Sequence, residues 1–521
     1  MNNQETLLQR FLQLTLAAVI AFPIVFGSSW LINRFFGTPT VQETVRAGQS
    51  VKILPATIAS KPLNFDIDFI DGQTSIAQEK TAIATNPVDY TLSTGGASIT
   101  SIDYIHPVGD TTERLNFLKA DQYQQRALLV ALDIASPFAF EIADRNLEGQ
   151  NPRITYKADS TQATITKEFV FDANSPKVMC NLTITPKVDH IQPRIFLQGP
   201  YLDGLAYNEV QALILNEQQE LKKIHLKETD NTAWVMPGLV GTENRYFIHA
   251  LIADPQNFTQ RAYFMRQGSD NLTAIIEGPE IKGTTTWQLT FYMGPKIHSL
   301  LMEVDPRLED TLEFGIVAPI ARVLLTALNT AYTHVHNYGW AIILLTALMS
   351  LALMPLSLGT QKPAMSSDEY NRKLKYIEQK YKDDKETLRR ERLALVEKQT
   401  AAAMPGGWRG LLSMIVNVAF GMALWRVLNR AIQLYHAPFL WIPDLSSRDP
   451  YFILSFILGI AMFLSFAGKS KDPRQWITMA IMSLLIAGFV GNFAAGIVLY
   501  IGVQVLVNSI FKPYLEKLLG V

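Results

Sequence analysis

The chain has 521 residues, of which 48% are hydrophobic and 18% charged, with a formal net charge of −1. A mean hydropathy of +0.11 is too high for an average soluble protein and too low for one wholly embedded in lipid, so a mixed architecture of two or three domains is predicted. The neutral total hides a division: residues 38–315 carry 23 Lys+Arg against 34 Asp+Glu, and the remainder carry 23 against 13. An acidic middle between basic flanks points to two compartments.

The first predicted element runs from about Phe11 to Ile32, an apolar stretch long enough to cross a bilayer. No small-residue cleavage site follows it, and Ser29-Trp30-Leu31-Ile32-Asn33-Arg34 looks like a membrane exit, so it is read as an uncleaved anchor. Residues 37–85, rich in Thr, Gln and Ala, read as a poorly ordered tether. From about Asn86 to Pro295 the chain shows short alternating or β-branched runs separated by turn signals, as in Ala163–Phe171 and Thr284–Tyr292. That spacing predicts a β-sandwich. The one cysteine, Cys180, cannot form an intramolecular disulfide, and its apolar neighbours make it a buried core residue. His106, His190, His225, His249 and His298 show no metal-ligand spacing, and neither a G-x-S-x-G nor a P-loop occurs. A binding or scaffolding domain is therefore expected here, with an unrecognised sugar-active site as the alternative.

Between residues 316 and 335, Ile320, Val323, Leu324, Ala327, Leu328 and Ala331 recur at helical spacing, with Arg322, Thr326, Asn329 and Thr333 between them. This predicts an interfacial amphipathic helix, the alternative being a helix packed on the β-domain. Five further apolar segments follow: Gly339–Leu358, Leu411–Leu434, Tyr451–Phe466, Trp476–Phe493 and Ala495–Phe511. The last three, of 16–18 residues, are at or below the ~20 needed to span hydrocarbon, which implies local bilayer thinning or tilt. Residues 361–400 hold 11 basic and 8 acidic residues and read as a helical hairpin that turns at Asp383-Asp384. This loop and the one carrying Lys469, Lys471 and Arg474 fall on one side if both termini are cytoplasmic, which places the acidic region outside.

Several motifs then add up. Asn337-Tyr338-Gly339-Trp340 opens the second span and Met354-Pro355-Leu356 closes it; Tyr381-Lys382-Asp383-Asp384-Lys385 lies at the hairpin tip. Ala437-Pro438-Phe439, Pro443-Asp444-Leu445-Ser446 and Asp449-Pro450-Tyr451 fill the connection from the third to the fourth span, and Phe493–Tyr500 opens the last. Outside the membrane part, Gly241-Thr242-Glu243-Asn244-Arg245-Tyr246-Phe247 and Met293-Gly294-Pro295 are weaker echoes. In their order and spacing these resemble the YidC-type membrane protein insertases (the YidC/Oxa/Alb family), in the long form of Gram-negative bacteria.

The resemblance implies a multi-pass α-helical membrane protein, an N-terminal anchor plus a five-helix core, with a periplasmic all-β supersandwich domain. Its map on this chain is an anchor at 1–36, a periplasmic tether at 37–85, the supersandwich at 86–312, an interfacial helix at 313–336 and the core at 337–521 with a cytoplasmic hairpin at 361–404. It further implies insertion and folding of inner-membrane proteins through a hydrophilic groove, alone or with the Sec translocon. The expected partners are nascent membrane proteins, ribosome–nascent chain complexes and the lipid bilayer, with no specific nucleic acid, no cofactor and no enzymatic activity. The family usually places an Arg in the second span, and the matching position here is Ser350; Asn417-Val418-Ala419 stands for the usual Gln-Met-Pro, and Ala494 for a Pro. A polar but uncharged groove is therefore expected, lined by Thr346, Ser350, Ser413, Asn417 and Gln504. Arg409 and Arg426 are the candidate groove cations, and Asp383, Asp384 and Lys385 form the hairpin tip that would meet clients. The sequence leaves open a membrane-anchored carbohydrate-binding or carbohydrate-active protein and a divergent paralogue without insertase activity. A secondary transporter is disfavoured by the lack of an internal repeat or embedded acid in the last five spans.

Overall fold

The computed structural model describes residues 62–519 except 71–77, 109–110, 121–124, 133–134, 138, 203–209, 217–219, 227–231, 268–270, 358–366, 383, 404–406 and 468–472. The anchor Phe11–Ile32 and the first part of the tether lie outside the described residues.

Strict alternation builds the β-domain. Ala163–Asp172 alternates buried and half-buried side chains at every position and pairs antiparallel with Ser175–Pro186, which pairs in turn with Thr285–Pro295. These strands lie inside a nine-stranded sheet that runs Leu221–Ile224, Gln211–Leu215, Val240–Glu243, Phe247–Ala253, Thr285–Pro295, Ser175–Pro186, Ala163–Asp172, Arg153–Asp159 and Glu141–Asn146. A seven-stranded sheet, with Leu129–Leu132, Pro193–Gln198 and Asn271–Glu277 near its middle, shares its core: Val130, Ile195 and Leu197 join Phe169, Leu182, Leu289 and Phe291 in one buried cluster. A four-stranded sheet, Lys80–Ile83, Val88–Ser93, Ser98–Val108 and Thr111–Asn116, completes the supersandwich. Cys180 is buried as a free thiol. Alternation also turns Lys167 inward, where its ammonium donates to the carbonyls of Gly96 (3.1 Å), Ala97 (2.7 Å) and Leu128 (2.6 Å). Those three acceptors replace the water that a buried lysine loses.

The tether reading needs correction over 62–70 and 78–85. Leu63 and Phe65 pack against the cluster around Tyr263, the Phe65 and Tyr263 rings meeting edge to face at 5.3 Å. Arg194 donates to the carbonyls of Asn64 (2.6 Å) and Asp66 (3.0 Å). Asp68–Ile70 adds a parallel strand on Ala135–Pro137, and Lys80–Ile83 pairs with Val88–Ser93. Composition suggested a tether because the arginine that binds these carbonyls lies some 130 residues away in sequence.

Among the described residues the helices begin with α1 (His298–Val304), and after two 3-10 turns, Pro306–Leu312 and Gly315–Val317, comes α2 (Ala318–Val335). There follow α3 (Tyr338–Ser357), the hairpin α4 (Ser367–Lys380) and α5 (Lys385–Ala403), then α6 (Gly407–Arg430), α7 (Ile453–Ala467), α8 (Pro473–Val490) and α9 (Ala495–Leu519). Among the described residues, Gly315–Val335, Tyr338–Leu356, Leu412–Arg430 and Ala495–Leu515 are long and apolar enough to cross a membrane; Ile453–Ser465 and Trp476–Val490 are apolar but shorter. The five-helix core is α3 and α6–α9, with α2 packed on α3 and α6.

One buried histidine is expected to make the β-domain acid-sensitive. His249 donates from Nδ1 to the Gln198 carbonyl at 2.6 Å, and burial pushes its pKa down to about 4. A folded value below the unfolded 6.5 means that the unfolded chain takes up the proton first, so stability is intact above pH 6.5 and falls as the pH drops from 6.5 to 4. The expected loss is roughly 3 kcal/mol. His249→Gln should flatten this part of the profile of the β-domain transition, followed in the full chain by thermal unfolding at stepped pH; an unchanged slope would assign the acid sensitivity elsewhere.

Candidate functional site

Two buried aspartates and an asparagine organise the end of the helical core next to the β-domain. The Asn337 side chain accepts from the amides of Gly339 (2.9 Å) and Trp340 (3.3 Å) at the start of α3, and its amide donates to the Pro438 carbonyl at 3.0 Å. Asp444 accepts from the amides of His436 (3.0 Å) and Ser446 (2.8 Å) and from the Ser447 hydroxyl (2.6 Å). Asp449, fully buried, accepts from the Trp441 indole (3.3 Å) and from the amides of Tyr451 (3.1 Å) and Leu454 (2.7 Å), which caps α7. The amides of Ala495 and Gly496, opening α9, donate to the carbonyls of Ser447 (2.7 Å) and Leu445 (2.9 Å). The segment 436–450 is thus a hydrogen-bonded plug across the ends of α3, α7 and α9. Directly beneath it, Tyr338, Ala341, Ile342, Leu345, Leu424, Val427, Leu428, Val498 and Leu499 form a buried apolar layer.

Below that layer the helices part around a cavity of about 480 Å³ of empty space, some of it open to the surroundings. Helical spacing delivers its lining one face at a time. Helix α3 contributes Thr346, Met349, Ser350, Leu353 and Met354; α6 contributes Asn417, Phe420, Gly421 and Leu424; α9 contributes Tyr500, Gln504 and Asn508; and Leu324 of α2 completes the wall. Gly421 lets α6 approach α9, since a Cβ there would stand 3.1 Å from the Tyr500 hydroxyl. Among the described residues, the lining carries hydroxyls and amides and no Asp, Glu, Lys, Arg or His.

Thr346, Ser350, Asn417 and Gln504 therefore meet in one cavity. Ser413 lies one turn from Asn417 outside the lining, and its carbonyl accepts from the Asn417 amide at 2.8 Å. Asn508 and Tyr500 were missed in the sequence, although the stripe Tyr500, Gln504, Asn508 repeats every four residues and could have been read there. Arg426 does not enter the cavity lining: its guanidinium donates to the Glu313 carbonyl, on the β-domain side of the apolar layer. Arg409 lies on the first turn of α6, and its side chain is outside the described residues, as is Asp383. Asp384 accepts from the amides of Glu386 and Thr387, both at 3.1 Å, and so starts α5; Lys385 is exposed beside it. Helices α4 and α5 pack together, with an ion pair between Glu378 and Arg392.

The comparisons divide the chain at the boundary between sheets and helices. The family model of the YidC periplasmic domain matches residues 80–327, and that of the 60Kd inner membrane protein matches residues 330–519. The membrane protein insertase YidC of Syntrophobacter fumaroxidans is 30% identical over 397 residues, 70% of this chain and 71% of that one. The chain belongs to the YidC membrane protein insertase family. The YidC of Methylobacillus flagellatus is also 30% identical, over 67% of this chain and 65% of its own length. Among solved structures, an active YidC insertase with its first transmembrane domain resolved aligns over 84% of this chain and 93% of its own, at 14% identity and a TM-score of 0.34. Ser350, at the position where the resemblance implies an Arg in most of the family, contributes a hydroxyl to the cavity lining.

Proposed function

We propose that this chain inserts membrane proteins into the bacterial inner membrane and assists their folding, with the cavity between α3, α6 and α9 as the site where a client's polar flank enters. The observation that carries this reading is the pairing of a polar cavity with a sealed end: hydroxyls and amides from three helices face one space, and the plug 436–450 over an apolar layer closes it toward the β-domain. A charged client residue at the centre of a bilayer costs roughly 2.5–3.5 kcal/mol on insertion scales, and a hydrated cavity reaching part-way across removes much of that cost. In the proposed topology both termini are cytoplasmic and the β-domain is periplasmic, in keeping with the basic loops at 361–400 and 468–474. Residues 1–36 form the anchor, 337–521 the insertase core, and the hairpin 361–404 meets ribosome-bound clients, alone or beside the Sec translocon. Helix α2, although long enough to span, is assigned to the interface. In support, Arg322 is held by Glu309 at 2.5 Å, and Thr326, Thr330 and Thr333 form an exposed stripe whose hydroxyls bond back to their own helix.

Photo-crosslinking tests the assignment. A probe at Ser350 or Asn417 should capture ribosome-bound nascent chains of a small single-span protein, and a probe at Leu464, exposed on α7, should not. Insertion without contact at either cavity position would sink the proposal.

A further inference from the structure

A cluster of charged groups sits where the β-domain meets the last turns of α6, and Glu313 is its hub. Glu313 follows the 3-10 turn Pro306–Leu312 in the left-handed region (φ 56°, ψ 34°), so its side chain and its carbonyl are presented to different partners. Its carboxylate pairs with Arg430 of α6 and with Lys223 of the β-domain (2.7 Å), and its carbonyl accepts from Arg426. Lys223 also reaches Glu243 (2.7 Å), whose second oxygen meets Lys296 (2.7 Å). Glu243 and Lys296 are almost wholly buried, whereas Glu313 and Arg430 are half-buried, so the chain Lys296–Glu243–Lys223–Glu313–Arg430 runs from the β-domain core to the domain junction. Burial alone would raise the Glu313 pKa, but Lys223, Arg430 and Lys296 pull it down to about 2, so the hub is charged throughout the physiological range. A parallel tie lies alongside: Arg245 donates to the carbonyl (2.9 Å) and side-chain oxygen (2.8 Å) of Asn429.

These ties act on three residues within the last five of α6. The cavity wall formed by Asn417, Phe420, Gly421 and Leu424 lies on the opposite face of the same helix, its nearest member Leu424 two residues before Arg426, so the ties hold that wall from behind. A helix transmits displacement of its end along its length because each turn is hydrogen-bonded to the next. Resting on the insertase reading above, we propose that Glu313 is a positioning residue for insertion: through Arg430 and Arg426 it locks the α6 wall of the cavity to the β-domain and so holds the cavity closed on that side and at its working width. The outer domain is, in this respect, a brace for the membrane site. It needs no ligand of its own to exert this effect.

The test uses the full chain in proteoliposomes, with Glu313→Gln, Arg430→Gln and the double variant. Two readouts are taken: the rate of insertion of a single-span client, and the labelling of Asn417→Cys by a membrane-impermeant maleimide from the β-domain side. Each single variant should slow insertion about tenfold, a size common for one coupling interaction, and should raise labelling; the double variant should be no worse than either single one, because both remove the same tie. Thermal unfolding of the β-domain, measured alongside, should be nearly unchanged for Arg430→Gln, whose side chain lies outside that domain. Additive losses, or unchanged labelling in both single variants, would overturn the proposal. If the unmodified chain inserts the client without crosslinking at Ser350 or Asn417, it is the cavity assignment that fails. A labelling change in the variants would then still establish the brace.

Discussion

Replacing Glu277 with leucine is expected to destabilise the β-domain by roughly 3–5 kcal/mol, the cost of leaving one partner of a buried ion pair in place. Arg261 and Glu277 are 1% and 3% exposed and meet at 2.8 Å on neighbouring strands of the seven-stranded sheet. The Tyr263 hydroxyl shares its one proton between this carboxylate (2.9 Å) and the Asn64 carbonyl (2.5 Å), so the substitution takes an acceptor from two donors and leaves the guanidinium without its buried carboxylate. The same variant should loosen the segment 62–67, since Arg261, no longer held by Glu277, also donates to the carbonyl of Pro62 (3.3 Å). The double variant Arg261→Met with Glu277→Leu should recover most of the loss, because apolar groups of similar volume replace both charges. Denaturant unfolding of the full chain, followed by amide exchange in Asn271–Glu277, measures both; a single variant within about 1 kcal/mol of the parent would show the pair to be solvated.

Gly339→Ala should disable the sealed end of the core. A Cβ at residue 339 would lie 2.0 Å from Cδ2 and 2.2 Å from Cγ of Phe439, closer than any real contact. Phe439 cannot easily retreat: it is 4% exposed, stacks edge to face on Trp340 at 5.4 Å, and its amide and carbonyl partner Ile442 in a tight bridge. Overpacking at such a site costs about 1–3 kcal/mol and is relieved by moving backbone, here the plug 436–450. A membrane-impermeant maleimide added from the β-domain side should then label Asn417→Cys several times faster than in the Gly339 parent. Equal labelling would mean that α3 shifts as a body and the plug stays seated. Asp449→Ala, which unseats the plug without adding bulk, separates the two.

Much of the architecture was legible because it depends on local periodicity. The alternation in Ala163–Phe171 dictates a strand with one buried face wherever that strand ends up, and the long apolar runs after Gly339 dictate helices in a bilayer. Even the motifs had local causes: Asn337 caps α3, Asp444 closes a turn on Ser446, and Asp449 caps α7. The tether failed for the opposite reason. Nothing between residues 62 and 70 advertises an ordered strand; its order comes from Arg194, Arg261 and Tyr263, all remote in sequence.

The cavity divides along the same line. Ser350, Asn417 and Gln504 could each be marked in the sequence as polar residues in apolar spans, since lipid penalises such groups unless something satisfies them. That they share one space with Tyr500 and Asn508, while Ser413 stays outside it and Arg426 is drawn away to Glu313, follows from the rotation and crossing of α3, α6 and α9. Periodicity sets which face of a helix is polar, and so the sequence by itself determined most strands and helices of the described residues and marked the apolar segments and the candidate residues. The direction each face points depends on packing against elements hundreds of residues apart, so only the tertiary structure decided which residues form the cavity and which ones brace it.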